Sequence, residues 1–280
     1  GREDRMPKSA IFDRTHAGHV REKDGPHIVE IENSPRRVRA MFGGETIADS
    51  SRPLLVLETG CLPVYYFPRA DIRMDLLVPT DHRTTCPYKG EAAYWTVKAG
   101  GRSAENAAWS YPTPIPESAA LGEAIAFYWN RIDHWYEEDE EIFVHPRSPY
   151  HRVDVVQSHR HVEVVVRGEV VGESRRARFL FETGLPPRFY LPPEDLKPGI
   201  LSPSETTSRC PYKGVAAYHD VTVRGETLRD LVWTYPDPIP ECPAIRGLLC
   251  FYNEFVDEIR VDGVPVEKSA TPWSRARAGS

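Results

Sequence analysis

Cysteine is scarce here and does not organise the chain. There are five in 280 residues, an odd number with no CxxC pair, which excludes a disulfide framework and a zinc-ribbon pattern. No run of about 18 apolar residues occurs, so no membrane-spanning helix is expected. Basic excess is missing too. The 35 Lys and Arg face 41 Asp and Glu, a formal net charge of −6, where a dedicated nucleic-acid binder would carry a basic patch. The stretch Gly1–Met6 has no apolar segment of signal-peptide type, and residues 1–5 read as an addition ahead of a natural start at Met6. Together these absences predict a protein of the reducing cytoplasm, without membrane, nucleic-acid, metal or cofactor partners.

What is present is a repeat. Cys86-Pro87-Tyr88-Lys89-Gly90 returns as Cys210-Pro211-Tyr212-Lys213-Gly214, an offset of 124 residues (86 to 210). At the same offset Glu58-Thr59-Gly60 returns as Glu182-Thr183-Gly184, Trp109 as Trp233, Tyr111 as Tyr235 and Phe127-Tyr128 as Phe251-Tyr252. Residues 86–94 and 210–218 agree at eight of nine positions, and 109–117 and 233–241 at seven of nine. Core-like positions have drifted, with Ala40-Met41-Phe42 against Val164-Val165-Val166, as cores allow when volume and pattern are kept. A period this long marks tandem globular domains, because solenoid units span about 20–50 residues. The expected layout is an N-terminal arm over 1–33, a first domain over 34–151 and a second over 158–274. The short join, not Gly/Ser-rich, predicts docked domains related by an approximate two-fold, for which a monomer suffices.

Each copy reads as mostly β. The arm carries His16, His19 and His27, with 28–31 as a short strand. Val38–Phe42 and Glu45–Asp49 flank the turn Gly43-Gly44, and Leu54–Glu58 and Val64–Phe67 follow. Residues 68–92 read as a long irregular functional loop holding the pentapeptide. Tyr94–Lys98 and Ser103–Tyr111 are the next strands, and the proline-rich 112–117 is an extended connector. A helix is predicted from Ser118, since Leu121, Ile125, Tyr128, Ile132 and Trp135 recur at helical spacing, as do Ile245, Leu249, Tyr252, Val256 and Ile259. The acidic run Glu137–Glu141 reads as a solvated tail or linker.

The ordered pieces Glu58–Gly60, Tyr66–Asp71, Cys86–Tyr94, Trp109–Pro114 and Phe127–Trp129, matched again at Glu182–Gly184, Cys210–Tyr218 and Trp233–Pro238, resemble a bacterial family catalogued as domain of unknown function 427. The second copy departs at Leu191 and Asn253, which stand for Phe67 and Trp129. The resemblance implies a compact, mostly β domain of the β-tent kind found in Mss4-like proteins and in the ligand-binding domain of cereblon. The expected fold is therefore α+β by class but mostly β, two tandem β-tent-like domains each closed by one C-terminal helix. The family also carries a nucleotidyltransferase-like label. The residues do not support it, for there is no P-loop, no Asp-x-Asp, and no Gly-Ser outside Gly279-Ser280.

Three chemistries compete for the recurrent residues. Cys86 and Lys89, with Cys210 and Lys213, could form thiolates lowered by an ammonium, or a buried apolar thiol beside an anchored surface charge. His82 lies nearby, but its counterpart is Thr206, so it is no shared base. Glu58 and Glu182 end apolar strands, where a carboxylate is costly unless paired. They serve either as acid, base or ligand acceptor, or as ion-pair partners of Lys89 or Arg52 and of Lys213 or Arg176. Asp71 and Asp195 are turn organisers after Pro68 and Pro192. Tyr66, Tyr88, Trp109 and Tyr111, repeated as Tyr190, Tyr212, Trp233 and Tyr235, suit a planar ligand held by polar tips, or simply a core. No Cys, His and acid set recurs at ligand spacing, so no metal site is expected.

The leading reading is a small polar, partly planar metabolite or nucleotide-like ligand in a pocket of each domain. The alternatives are a transferase or hydrolase-type enzyme using Cys86/Cys210 or Glu58/Glu182, and a protein–protein scaffold without chemistry. Elemental analysis should find no stoichiometric zinc, and dithiothreitol should leave the denaturation midpoint unchanged; a bound metal or a large loss in reductant would overturn this account of the cysteines.

Overall fold

Leu54–Glu58 (β4) and Val64–Pro68 (β5) pair antiparallel, Leu55 opposite Tyr65, and show how each domain builds two layers. Successive side chains on a strand face opposite ways. Leu55, Leu57, Tyr65 and Phe67 enter one buried cluster, while Leu54, Val56, Val64 and Tyr66 enter another on the opposite side of the sheet. Residues 26–268 and 270–276 are described by this computed structural model. His16, His19 and Met6 lie outside the described residues. The chain divides into two units, Gly1–Tyr150 and His151–Ser280.

The first unit holds β1 (Val29–Asn33), β2 (Val38–Phe42), β3 (Glu45–Ser50), β4 and β5, then β6 (Leu77–Cys86), β7 (Gly90–Ala99), β8 (Arg102–Ser110), β9 (Ala124–Phe127), β10 (His134–Glu137) and β11 (Glu140–Ile142). A seven-stranded sheet runs β1-β4-β5-β9-β8-β7-β6, and a four-stranded sheet runs β11-β10-β2-β3. The main core lies between them, joining Val38 and Ala40 of β2 and Trp135 of β10 to Phe67, Trp95 and Val97 of the larger sheet. The second unit repeats both sheets in the same order with the strands 124 residues on. It is mostly β throughout, and the one α-helix among the described residues is the short Pro272–Ala276.

Three sequence expectations are corrected. The helix after Ser118 does not form. A 3-10 turn, Pro116–Leu121, leads into β9, which inserts between β5 and β8 with all four residues buried. A strand buried on both faces is apolar at every position, so Ala124-Ile125-Ala126-Phe127 carries no period of two, and nearby apolar residues mimic helical spacing. The equivalent strand Leu249–Phe251 behaves the same way.

The expected loop 68–92 is mostly strand. Ten-residue β6 pairs with β7, interrupted by a register shift between Pro79 and Arg83 that recurs between Pro203 and Thr207; a proline without N–H confines itself to such irregularities. The pentapeptide is thus the β6–β7 hairpin turn.

Nor is the acidic run a solvated tail. Glu137 is buried on β10, accepting hydrogen bonds from Tyr65 Oη at 2.9 Å and from Arg36, and β11 returns as its partner. Residues 29–33, grouped with the arm in sequence, form edge strand β1, whose Val29 sits opposite Glu58.

Candidate functional site

The pentapeptide turn has its shape because another segment leans on it. Gly90 has φ +119°, a region L side chains rarely enter, and an added Cβ would lie 3.1 Å from Thr113 O; Gly214 has φ +117° against the copy of that segment. The proline-rich connector packs here, with Ile115 N–H donating to Lys89 O at 3.0 Å and Ile239 N–H to Lys213 O at 2.9 Å. The two best-kept motifs of the repeat are therefore one structural unit, turn against connector. Lys89 is held side chain inward, 6% exposed, and Lys213 likewise, 7% exposed.

A buried ammonium needs a carboxylate. Lys89 Nζ donates to Glu58 Oε2 and lies 3.8 Å from Cys86 Sγ; Lys213 Nζ donates to Glu182 Oε2. The other carboxylate oxygen meets a histidine, His27 Nε2 to Glu58 Oε1 at 2.8 Å and His151 Nε2 to Glu182 Oε1 at 2.9 Å. Each imidazole stacks on the tyrosine of the turn, His27 on Tyr88 and His151 on Tyr212, both with centroids 3.8 Å apart. The threonine after each glutamate fixes the strand that delivers the histidine: Ile28 N–H donates to Thr59 Oγ1 at 3.0 Å and Arg152 N–H to Thr183 Oγ1 at 2.7 Å. His–Glu–Lys under a His–Tyr stack is therefore built twice with the same bonds.

The histidines are absent from the sequence-derived candidates because His27 falls in the polar arm, ahead of the well-matched motifs. The signal was available, since 27 and 151 obey the offset of 124 and the repeat extends into β1.

The aromatic residues lie on the same outer face of the seven-stranded sheet. Tyr66 and Trp109 both pair across to Ala126, whose small side chain leaves room between them. Trp109 Nε1–H donates to Tyr66 Oη at 3.1 Å, and Trp233 to Tyr190 at 2.9 Å across Cys250. Tyr66, Tyr111 and Trp109 share one cluster with Cys86, and Tyr190, Tyr235 and Trp233 another with Cys210. Glu58, Lys89 and Cys86 thus meet through the Lys89 ammonium, Tyr88 joins them through His27, and Tyr66, Tyr111 and Trp109 form the adjoining apolar face. Arg52 and Arg176 are not partners of these glutamates. They pair with Asp71 and Asp195, which also accept from Ser50 and Ser174.

Electrostatics favours a held anion over a titrating acid. Burial raises the Glu58 carboxyl, but hydrogen bonds from Lys89 and His27 outweigh it and leave the group below its ordinary value; Glu182, more deeply buried, is likewise lowered by His151 and Lys213. Burial pushes the Cys210 thiol up, against thiolate formation in that domain. Tyr66 and Tyr190 are raised well above the usual phenol value, chiefly by burial, and stay protonated. No cluster of three or more His, Cys, Asp or Glu suited to a metal occurs among the described residues.

Lys89→Met leaves a nearly buried carboxylate with only His27, and is expected to cost about 3–5 kcal/mol in denaturant unfolding. The exposed control Lys98→Met should stay within about 0.5 kcal/mol. A carboxyl with a lowered folded pKa binds fewer protons folded than unfolded. The stability it adds is complete above the unfolded value of about 4.3 and is lost as pH falls through the folded value. Acid titrations of stability should therefore steepen below about pH 4.3, and Glu58→Gln with Glu182→Gln should flatten that limb.

No curated protein matches this chain. A family described as Domain of unknown function (DUF427) matches twice, over residues 30–138 and 154–262, each match beginning within the edge strand that follows the histidine. With both domains covered, the chain belongs to the DUF427 family, as a tandem pair of its domains.

Proposed function

We propose that this protein binds a small polar, partly planar metabolite of nucleotide-like character at the His–Glu–Lys cluster of each domain. The observation that carries this reading is the duplicated cluster itself, His27–Glu58–Lys89 and His151–Glu182–Lys213, with the same tyrosine stack in both. An ion pair taken out of water is weak support for a fold, and a well-packed apolar pair is often as stable or more so. It sits beside the aromatic face, under an imidazole 26% exposed in the first domain and 21% in the second. An apolar face with a few convergent polar groups is how small-molecule sites are made. The Glu58 oxygens are taken by Lys89 and His27, which leaves the imidazole Nδ1 edge and the Tyr88 ring to meet a ligand.

One observation favours acid–base catalysis as a second reading. A carboxylate on one nitrogen of a histidine is the arrangement that orients a general base. Turnover lost in His27→Gln with binding retained would be its signature.

A thermal-shift screen against metabolites and nucleotides tests the binding reading. A compound at 100 times its Kd adds about 2.7 kcal/mol, a rise of several degrees. That rise should vanish in a Tyr88→Ala, Tyr212→Ala double variant, which removes the ring offered to the ligand and leaves the Glu–Lys pairs in place. A library without a hit, or hits indifferent to both tyrosines, would sink it.

A further inference from the structure

The two domains share their aromatic geometry but differ in what lies over it. Tyr252 packs on Trp233 with centroids 4.5 Å apart, and Tyr128 on Trp109 at the same 4.5 Å. In the second domain Arg188 places its guanidinium carbon 5.3 Å from the centre of the Trp233 ring and 5.6 Å from that of Trp273. Its nitrogens reach both oxygens of Glu254, at 2.8 Å and 3.1 Å, with the arginine side chain 7% and the glutamate 4% exposed. Thr271 Oγ1 adds a hydrogen bond to Glu254 at 3.3 Å. This is a filled site whose occupant is a planar cation from the chain itself.

At the offset of 124, Val64 stands for Arg188 and Asn130 for Glu254. The short valine cannot reach over the ring, and among the described residues Trp109 meets Tyr66 and Tyr128 but no guanidinium. Phe255 also packs on Tyr252, with centroids 5.4 Å apart, where the first domain has Arg131, so the second face is the more covered one. Tyr252 is 9% exposed where Tyr128 is 41%, and Trp233 is buried where Trp109 is only half-buried.

We infer that the Trp109–Tyr128 face of the first domain takes a guanidinium-type planar cation from a ligand, in the place Arg188 fills in the second domain, giving one such site per chain. A planar delocalised cation suits this face better than an ammonium, because it stacks on the ring while its edge N–H groups find acceptors. Asn130, an exposed residue, keeps a neutral carbonyl acceptor at the position of Glu254, so the cation there is held by stacking and a neutral hydrogen bond and can exchange, whereas the bidentate carboxylate retains Arg188. The inference rests on the reading of this face as a ligand surface and names one part of the ligand.

The test uses the whole chain and methylguanidinium, with methylammonium and methylurea as charge and shape controls. Indole N–H resonances report binding, that of Trp109 being identified with Trp109→Phe. Methylguanidinium should shift the Trp109 signal saturably, at least several-fold more tightly than either control. The domain-swapped pair Val64→Arg, Asn130→Glu should weaken it at least tenfold. The reverse pair Arg188→Val, Glu254→Asn should add a second responding indole, Trp233. An unmoved Trp109 signal, or an equal response to methylurea, overturns the inference on the wild-type protein even if a swapped variant fails to fold. Library hits that need Tyr88 but compete with no guanidinium would leave the binding function standing and refute this inference alone.

Discussion

A lysine ammonium enclosed by protein is the constraint from which the rest of each domain follows. Its hydration is gone, so a carboxylate must meet it, and the carboxylate must come from a strand end where the backbone can be held still. Glu58 at the end of β4 and Glu182 at the end of its copy supply it. The lysine in turn sits in a four-residue turn whose backbone is fixed from outside, by the proline-rich connector hydrogen-bonded to the lysine carbonyl. Turn, connector and strand end are far apart in the chain and are one object in the fold.

This dependence explains which residues the two halves retain. Gly90 and Gly214 are needed because the connector passes where a Cβ would stand. Thr59 and Thr183 are needed because they clamp the strand that brings the histidine. The cores between the sheets have freedom, since Phe67 and Leu191, or Tyr65 and Phe189, each satisfy the same volume and alternation. The halves also diverge over the aromatic face, where one domain closes on its own arginine and the other leaves tyrosine and tryptophan partly exposed.

Fixed charges placed this way suit recognition. The glutamate is kept ionised by two donors, and a buried tyrosine hydroxyl accepts the tryptophan N–H, so the polar groups are held in fixed orientations, as the proposed binding role requires. Preorganised donors and acceptors lose little freedom on binding.

The amino-acid sequence by itself determined the tandem repeat, the mostly β class, the hairpin strands from Val38 to Phe67, and the candidate residues Glu58, Lys89, Tyr66 and Trp109 with their copies. These depend on the repeat offset and on short-range patterning, both of which can be read along the chain without knowing how it folds. Only the tertiary structure decided that residues 124–127 are a central strand instead of a helix, because burial on both faces erases the period that distinguishes the two. It also decided that Glu137 is interior, through Arg36 and Tyr65 more than 70 positions away. The pairing of Lys89 with Glu58 and of Glu58 with His27 belongs with these. Each bond spans 31 residues, and strand order alone brings its ends together.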